Sequence, residues 1–530
     1  METKKIKGTK PFFQKREILW YFVFSGFAVN YMIRINLNLA VVSMVAPKSK
    51  NKASITSECL SGNIPNNNSY INGYQENSTF TNRHVPLNKT LSELEITSIP
   101  DQYFDWNEKE LGAILGSFFW LHWITQIPGG ILAAKYGTKL IFGLSNFIGV
   151  FANFVIPWFA HKGALYLIFI RSIQGLCAGF CWPSMHHMVS KWIPPNERSK
   201  FITSYLGSSI GAALTYLLCG FIIERWGWEQ VFYSCGVLGT IWFIAWWFSV
   251  YDSPAQHPSI SQEEKDYISS SLGKTVSKVN IPTPWKSILT NIPLWATVVA
   301  QIGACWGFFT LMVNGPTYIK FIHGWDVRLT GLLCGMPHLF RVVFAYIFSL
   351  LGDYLLRTEK MKRSHVRKFA TLWANGIQAV FMLGLAYSGC DKMTAVAMLT
   401  LAVTVNGAVS TGALAGLVDI SPNHSAILLG ISNTAVALVG FCTPAVIGYF
   451  TFQNQTAVQW QKVFWVCAGI LLASCAFYTI FGNSTVASWN SPKENSDGPE
   501  TEMMVTNEKN KKTNGKAEGN TIMYSNEEVY

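Results

Sequence analysis

Three arginines stand where an apolar chain has no ordinary use for them. The stretch VNYMIRINLNLAVVSMVA (29–46) holds Arg34, and no other charge occurs from Ile18 to Ala46. Arg171 and Arg341 lie in comparable apolar runs. A guanidinium stays charged and presents a planar fork of donors that fits carboxylate or phosphate. At bilayer depth it costs between about 3 and 10 kcal/mol or more. None of the apolar runs contains Asp or Glu; acids such as Glu224, Asp353 and Asp419 lie only at their ends. Cations without built-in counter-charge are suited to one kind of chemistry, the binding of an anion that arrives from solution.

Position separates the three. Arg34 and Arg341 stand near the centres of their runs, about 20 Å from either end at 1.5 Å per residue, which predicts that they face a cavity. Arg171 stands only about eight residues into its run, and snorkelling to the interface is an equal alternative for it. His122, His186, His187 and His338 also lie in apolar runs and could titrate near neutral pH. Asn30, Asn36, Asn38, Asn314, Asn406 and Asn433 could line a cavity. Both residue types more often join neighbouring helices by hydrogen bonds.

The elements that must position these residues follow from the charge pattern. Half of the 530 residues are hydrophobic and only 13% are charged, against about 25% in soluble domains. Charge gathers into short clusters between twelve apolar stretches, each near the length of a membrane-spanning helix: 19–46, 111–134, 140–160, 164–189, 201–223, 230–251, 292–318, 329–352, 369–388, 393–416, 426–452 and 463–482. The fold class expected is an all-α membrane protein with twelve transmembrane helices. Segment 1–18 reads as an N-terminal tail, 19–251 and 292–482 as two six-helix halves, 252–291 as a polar central loop, and 483–530 as a disordered tail.

Net charge is +11, but its location argues against a nucleic-acid partner. With a cytoplasmic N-terminus, the inner segments carry twenty-one Lys and Arg, and the short outer loops carry six, Lys162, Arg225, Lys320, Arg328, Lys392 and Lys462. That bias sets the orientation and puts both termini inside. The first run is too long for the apolar core of a cleavable signal peptide. Loop 47–110 then lies outside, and it carries glycosylation sequons at Asn67, Asn77 and Asn88; Asn454 starts a fourth external one. Nine of the eleven cysteines fall in or beside the spans as small apolar residues. Cys59 and Cys390 are both external, which leaves a disulfide open. No cysteine or histidine cluster suggests a metal, and no cofactor is expected.

The halves repeat in part: GGILAAKYGTK (129–139) follows the second run and LGDYLLRTEKMKR (351–363) the eighth. Two such halves are the layout of the major facilitator superfamily, with substrate near the midplane between them. Several strings are more specific: GSFFWLHWITQIPGG (116–130), KWIPPNERSK (191–200), GWEQVFYSCG (227–236), YDSPAQHPSIS (251–261) and VDISPNHSAILLGISNT (418–434). In this order they closely resemble the anion:cation symporter family of that superfamily, which holds the type I sodium–phosphate cotransporters, sialin and the vesicular glutamate transporters. The resemblance runs from about residue 20 to 482.

The resemblance implies that Arg34 is the ligand of the substrate's carboxylate or phosphate. It matches Arg171 to the family arginine that opens RSIQGLCAG, and His338 to a histidine that glutamate-carrying members hold in the same Pro-His-Leu context. Three positions depart from sialin and the glutamate transporters. Ala178 and Gln174 replace helix 4 glutamates, and Ala304 stands where the glutamate transporters have a helix 7 arginine. Sialin-like proton symport and glutamate loading become poor expectations, and the sodium–phosphate branch is the nearer match. Arg341 is then expected to supply the second anion contact, with Asn38 beside Arg34.

The function expected is therefore secondary active transport of an inorganic or organic anion by alternating access, with sodium as the co-transported ion. Importing a divalent anion against about −60 mV opposes roughly 2.8 kcal/mol before any gradient, so import needs a coupled cation. The alternative is an organic anion carrier, for urate-like or acidic-sugar substrates, driven by membrane potential. An anion channel or a non-transporting sensor is a weaker reading, and no catalytic pairing suggests an enzyme. The partners expected are a small anionic substrate and the lipid bilayer, with the chain as a monomer. The plasma membrane is expected, and a lysosomal or vesicular membrane is the alternative.

Overall fold

A computed structural model describes residues 14–45, 59, 104–194, 197, 201, 203–273, 283–422 and 424–490. The sequons at Asn67, Asn77 and Asn88 and the tail from 491 onward lie outside the described residues.

All twelve expected stretches are helical. Eleven are long and apolar enough to cross a membrane: Lys15–Met44, Thr138–Lys162, Ala164–Trp192, Thr203–Trp226, Trp228–Ser249, Ile292–His323, Val327–Arg357, Arg363–Ala386, Lys392–Ile420, Ile427–Phe450 and Ala457–Phe481. The second stretch is divided instead, into Glu108–Trp120 and Gln126–Tyr136 with a turn at 121–125. Counting that pair as span 2 gives twelve spans in chain order. The polar connection after span 6 carries a further helix, Gln262–Gly273, which is fixed to the start of span 1. Glu264, buried, accepts the backbone N–H groups of Lys15 and Arg16 at 3.0 and 3.1 Å, and so satisfies two donors that a helix start leaves free.

Odd and even spans run in opposite directions, which gives the bundle two faces. The terminal face carries the start of span 1, and the loop face carries the connection between spans 1 and 2. That connection leaves and returns at one point, where Phe104 N–H donates to Met44 O at 2.8 Å. It is tied at Cys59 by a disulfide to Cys390, between spans 9 and 10.

Spans 1–6 meet spans 7–12 chiefly through span 5 against span 8, span 2 against span 11 and span 1 against span 7. Small residues permit this closeness. Gly331 and Gly335 of span 8, one turn apart, lie against the Tyr216 and Ala213 backbone of span 5. On the other side, a side chain at Gly112 would strike the Pro444 carbonyl, and one at Gly448 would strike that of Glu108. Nearer the loop face, the Glu108 carboxylate accepts Gln453 N–H at 2.9 Å, and Arg328 pairs with Glu224 at 3.6 Å. The halves are thus sealed from mid-depth to the loop face.

Candidate anion-binding site

Below that seal lies a cavity of about 180 Å³, smaller than the roughly 300–1,000 Å³ of sites for drug-sized ligands. Both halves build it. Spans 1, 2 and 4 contribute Tyr31, Arg34, His122, Gln126 and Trp182; spans 7, 8, 10 and 11 contribute Gln301, Phe308, Phe309, Arg341, Asn406 and Asn433 among others. No Asp or Glu lines it among the described residues.

Arg34 is 7% exposed, and aromatic rings surround its guanidinium. Cζ lies 4.4 Å from the Phe119 ring centre, 5.1 Å from Phe309, 5.2 Å from Tyr31 and 5.4 Å from Phe118. Ring faces attract a cation but leave its N–H donors unused, and Nε has no hydrogen-bond partner. An anion would supply what the rings do not.

Arg341 comes from the other half. Its Nε donates to Asn406 Oδ1 at 3.1 Å, its Nη1 to Ser209 Oγ of span 5 at 2.9 Å, and its Cζ lies 4.5 Å over Phe308. Asn406 is held in turn, with Nδ2 donating to Ala304 O at 3.0 Å and to Gln378 Oε1 at 3.1 Å. It stands where span 10 tightens into a 3-10 turn at Asn406–Ser410. The guanidinium is therefore aimed by three neutral groups, and among the described residues no carboxylate pairs with it.

Arg171 takes neither of the positions expected from sequence. It is 1% exposed and does not line the cavity. Nη1 donates to Ile33 O and Gln174 Oε1, and Nη2 to Arg34 O, each at 3.0 Å. Span 1 is prepared for this. Leu37 N–H, which a regular helix returns to Ile33 O, meets Asn36 Oδ1 at 2.8 Å, and Asn36 Nδ2 donates to Asn153 Oδ1 at 2.9 Å. Gln174 Nε2 donates to Gly149 O at 2.9 Å. Arg171, Gln174 and Asn36 together clamp spans 1, 3 and 4 around the backbone that carries Arg34.

His338 and Asn38 belong to the seal rather than to the cavity wall. The His338 ring stacks on Tyr216 at 5.9 Å and meets the Phe308 edge at 5.6 Å. Tyr216 Oη donates to Met312 O, which Asn38 Nδ2 also approaches at 3.5 Å. These contacts join span 5 and span 1 to span 7. Asn454 lies in the short loop-face connection at 451–456.

Sequence marked His122 only as one of four histidines in apolar runs and did not mark Gln126, although a spacing of four puts both on one face of a helix. His122 Nδ1 faces Gly175 O at 3.0 Å, and Nε2 faces the Gln126 amide nitrogen at 3.0 Å. A carbonyl only accepts and an amide nitrogen only donates, so the neutral tautomer with the proton on Nδ1 satisfies both. Among the described residues no group of His, Cys, Asp and Glu could hold a metal ion.

Known proteins share this architecture. The Major Facilitator Superfamily model matches residues 96–441. Vesicular glutamate transporter 3 of Danio rerio is 32% identical over 91% of this chain and 75% of its own length. A putative inorganic phosphate cotransporter of Drosophila melanogaster is 31% identical over 95% of this chain and 91% of its own. Among solved structures, a bacterial homologue of the human lysosomal transporter Spinster, inward-facing and unoccupied, superposes with a TM-score of 0.62 at 12% identity, covering 89% of this chain and 97% of that one. A D-xylose–proton symporter gives 0.58 at 13% identity, over 89% and 98%. The two structures show likeness of fold alone.

Proposed function

The chain belongs to the Major Facilitator Superfamily as a multi-pass secondary transporter, and on that premise we propose that it carries a small anion by alternating access with sodium as coupling ion. One observation supports this above the others. Arg34 of the first half and Arg341 of the second line one cavity that lacks an acidic wall. An anion held between them would bridge the halves that must rock against each other.

The relatives' names include both glutamate transporters and a phosphate cotransporter at nearly equal identity, so identity does not choose the cargo. The residues at the departing positions favour the phosphate-like branch. Ala304 leaves span 7 without a cavity arginine, and Gln174 is an amide bonded to Arg171, not an acid that could take up a coupling proton. The second reading, an organic anion carrier driven by membrane potential, is favoured by the aromatic side chains of Tyr31, Trp182, Phe308 and Phe309 in the wall.

The terminal face is read as cytoplasmic from the excess of Lys and Arg there. The Cys59–Cys390 disulfide on the loop face suits an oxidising exterior. The plasma membrane is the location proposed, and a vesicular membrane would present the same topology. Uptake of labelled phosphate into proteoliposomes, with and without a sodium gradient, tests the reading. Sodium-dependent, saturable uptake is expected, and it disappears in Arg34→Ala. Uptake that follows membrane potential and ignores sodium would favour the organic anion carrier.

A further inference from the structure

Between Arg357 and Lys368 the hairpin joining spans 8 and 9 carries six Lys and Arg against one acid, Glu359. The hairpin between spans 2 and 3 carries two, Lys135 and Lys139. Early segments usually dominate the orientation of a multi-span chain, so this late cluster exceeds what topology asks for.

Little of that charge is used inside the protein. Arg367 is committed, with Nε donating to Asp419 Oδ2 at 2.7 Å and Nη1 to Thr411 O at 2.8 Å. Arg363 stands 3.7 Å from the same carboxylate with its side chain 58% exposed. Arg357, Lys360, Lys362 and His365 are exposed, and Lys360 Nζ rests on Tyr354 Oη at 3.2 Å. The exposed acids nearby are Asp353 and Glu359, too few to balance the cluster. Just inside the hairpin, Leu350, Leu351, Tyr354 and Leu372 present exposed apolar side chains of the kind that acyl chains cover. The cations therefore stand immediately beyond an apolar belt, at the depth of lipid headgroups.

We propose that this hairpin is a docking surface for anionic phospholipid headgroups of the adjoining leaflet, and that multiply phosphorylated inositol lipids fit it best. Arg357, Lys360, Lys362 and Arg363 supply the charge. Arginine forks and lysine ammonium groups are the donors that phosphate oxygens take. The surface is distinct from the cavity that holds Arg34 and Arg341, and it does not depend on which anion is transported.

The test titrates the purified full chain, in neutral detergent, with a water-soluble short-chain phosphatidylinositol bisphosphate. Detergent exposes both faces, so the result is independent of orientation. Saturable binding is expected, weakened about 100-fold in the triple variant Lys360→Gln, Lys362→Gln, Arg363→Gln, at about 1 kcal/mol for each charge. Should the triple variant lose its monodisperse elution profile, Lys360→Gln and Lys362→Gln alone are expected to weaken binding about fivefold each. Arg34→Gln is expected to bind the lipid as the wild type does. The proposal is overturned if the variants bind within a factor of two of wild type. It is overturned too if Arg34→Gln alone abolishes binding, or if soluble inositol trisphosphate binds as tightly as the lipid.

Discussion

The guanidinium of Arg171 holds the backbone carbonyl of Arg34, with Nη2 donating to that oxygen at 3.0 Å. One arginine is spent on fixing the main chain from which another presents its charge. The two make the same demand on a low-dielectric interior, and each leaves its Nε without a partner, but only Arg171 has its two Nη groups taken up by the protein itself.

Their substitutions should therefore diverge. Arg171→Gln leaves two buried carbonyls without their charged donor and is expected to lower stability by about 3 kcal/mol or more. Arg34→Met removes a buried charge that no carboxylate offsets, so the thermal midpoint is expected to stay level or rise while transport is lost. Thermal unfolding in detergent beside proteoliposome uptake reads both. A large stability loss in Arg34→Met would contradict its assignment to the cargo.

Arg341 donates in two directions at once, to Asn406 and to Ser209. Lysine keeps the charge but not the fork, so Arg341→Lys is expected to raise KM about tenfold or more and to rescue little of the loss in Arg341→Ala. Ser209→Ala, which removes one neutral acceptor, is expected to change KM by less. Unchanged kinetics in Arg341→Ala would remove it from the site.

Cys305 lines the cavity wall and is half-buried. A positive cavity should draw an anionic methanethiosulfonate to it about tenfold faster than a cationic one of similar size, and saturating phosphate should slow the reaction. Labelling is followed by mass spectrometry, with Cys305→Ser as the blank. Equal rates for both reagents would mean that the two guanidiniums are neutralised within the cavity.

The Cys59–Cys390 disulfide spans 331 residues of sequence and joins the two halves of the chain. With a protease site introduced within 274–282, cleavage is expected to leave both halves in one band on a non-reducing gel. They should separate on reduction or in Cys390→Ser. Separation without reductant would show that the bond does not form.

His257, beyond the end of span 6, gives a modest pH dependence. Burial first, and the Lys15 ammonium second, hold its imidazole below the ordinary range, against the pull of Glu264. The unfolded chain then binds the proton more readily, so stability is complete above the unfolded pKa of about 6.5 and declines as pH falls from there through the folded value. Thermal midpoints between pH 7.5 and 5 should show that decline, and His257→Gln should flatten it. An identical slope in the variant would place the dependence elsewhere.

Sequence by itself determined the twelve apolar stretches that become the spans and the anomaly at their centre. Those features depend on transfer energies that act residue by residue: an apolar run of twenty spans, and a charge within it needs a reason. It also singled out Arg34 and Arg341, because both stand too deep to reach an interface. What it could not assign was the use of Arg171, His338 and Asn38, which look alike in a linear reading and serve packing in the fold. Helical periodicity tells which residues share a face, but not which neighbour that face will meet. Only tertiary structure decided that two carbonyls of span 1 would take the Arg171 donors. In the same way, the turn at 121–125 put His122 and Gln126 in the wall of the cavity that Arg34 lines. A buried polar group is defined by its partners, and the two carbonyls that hold Arg171 lie on another helix, over a hundred residues away.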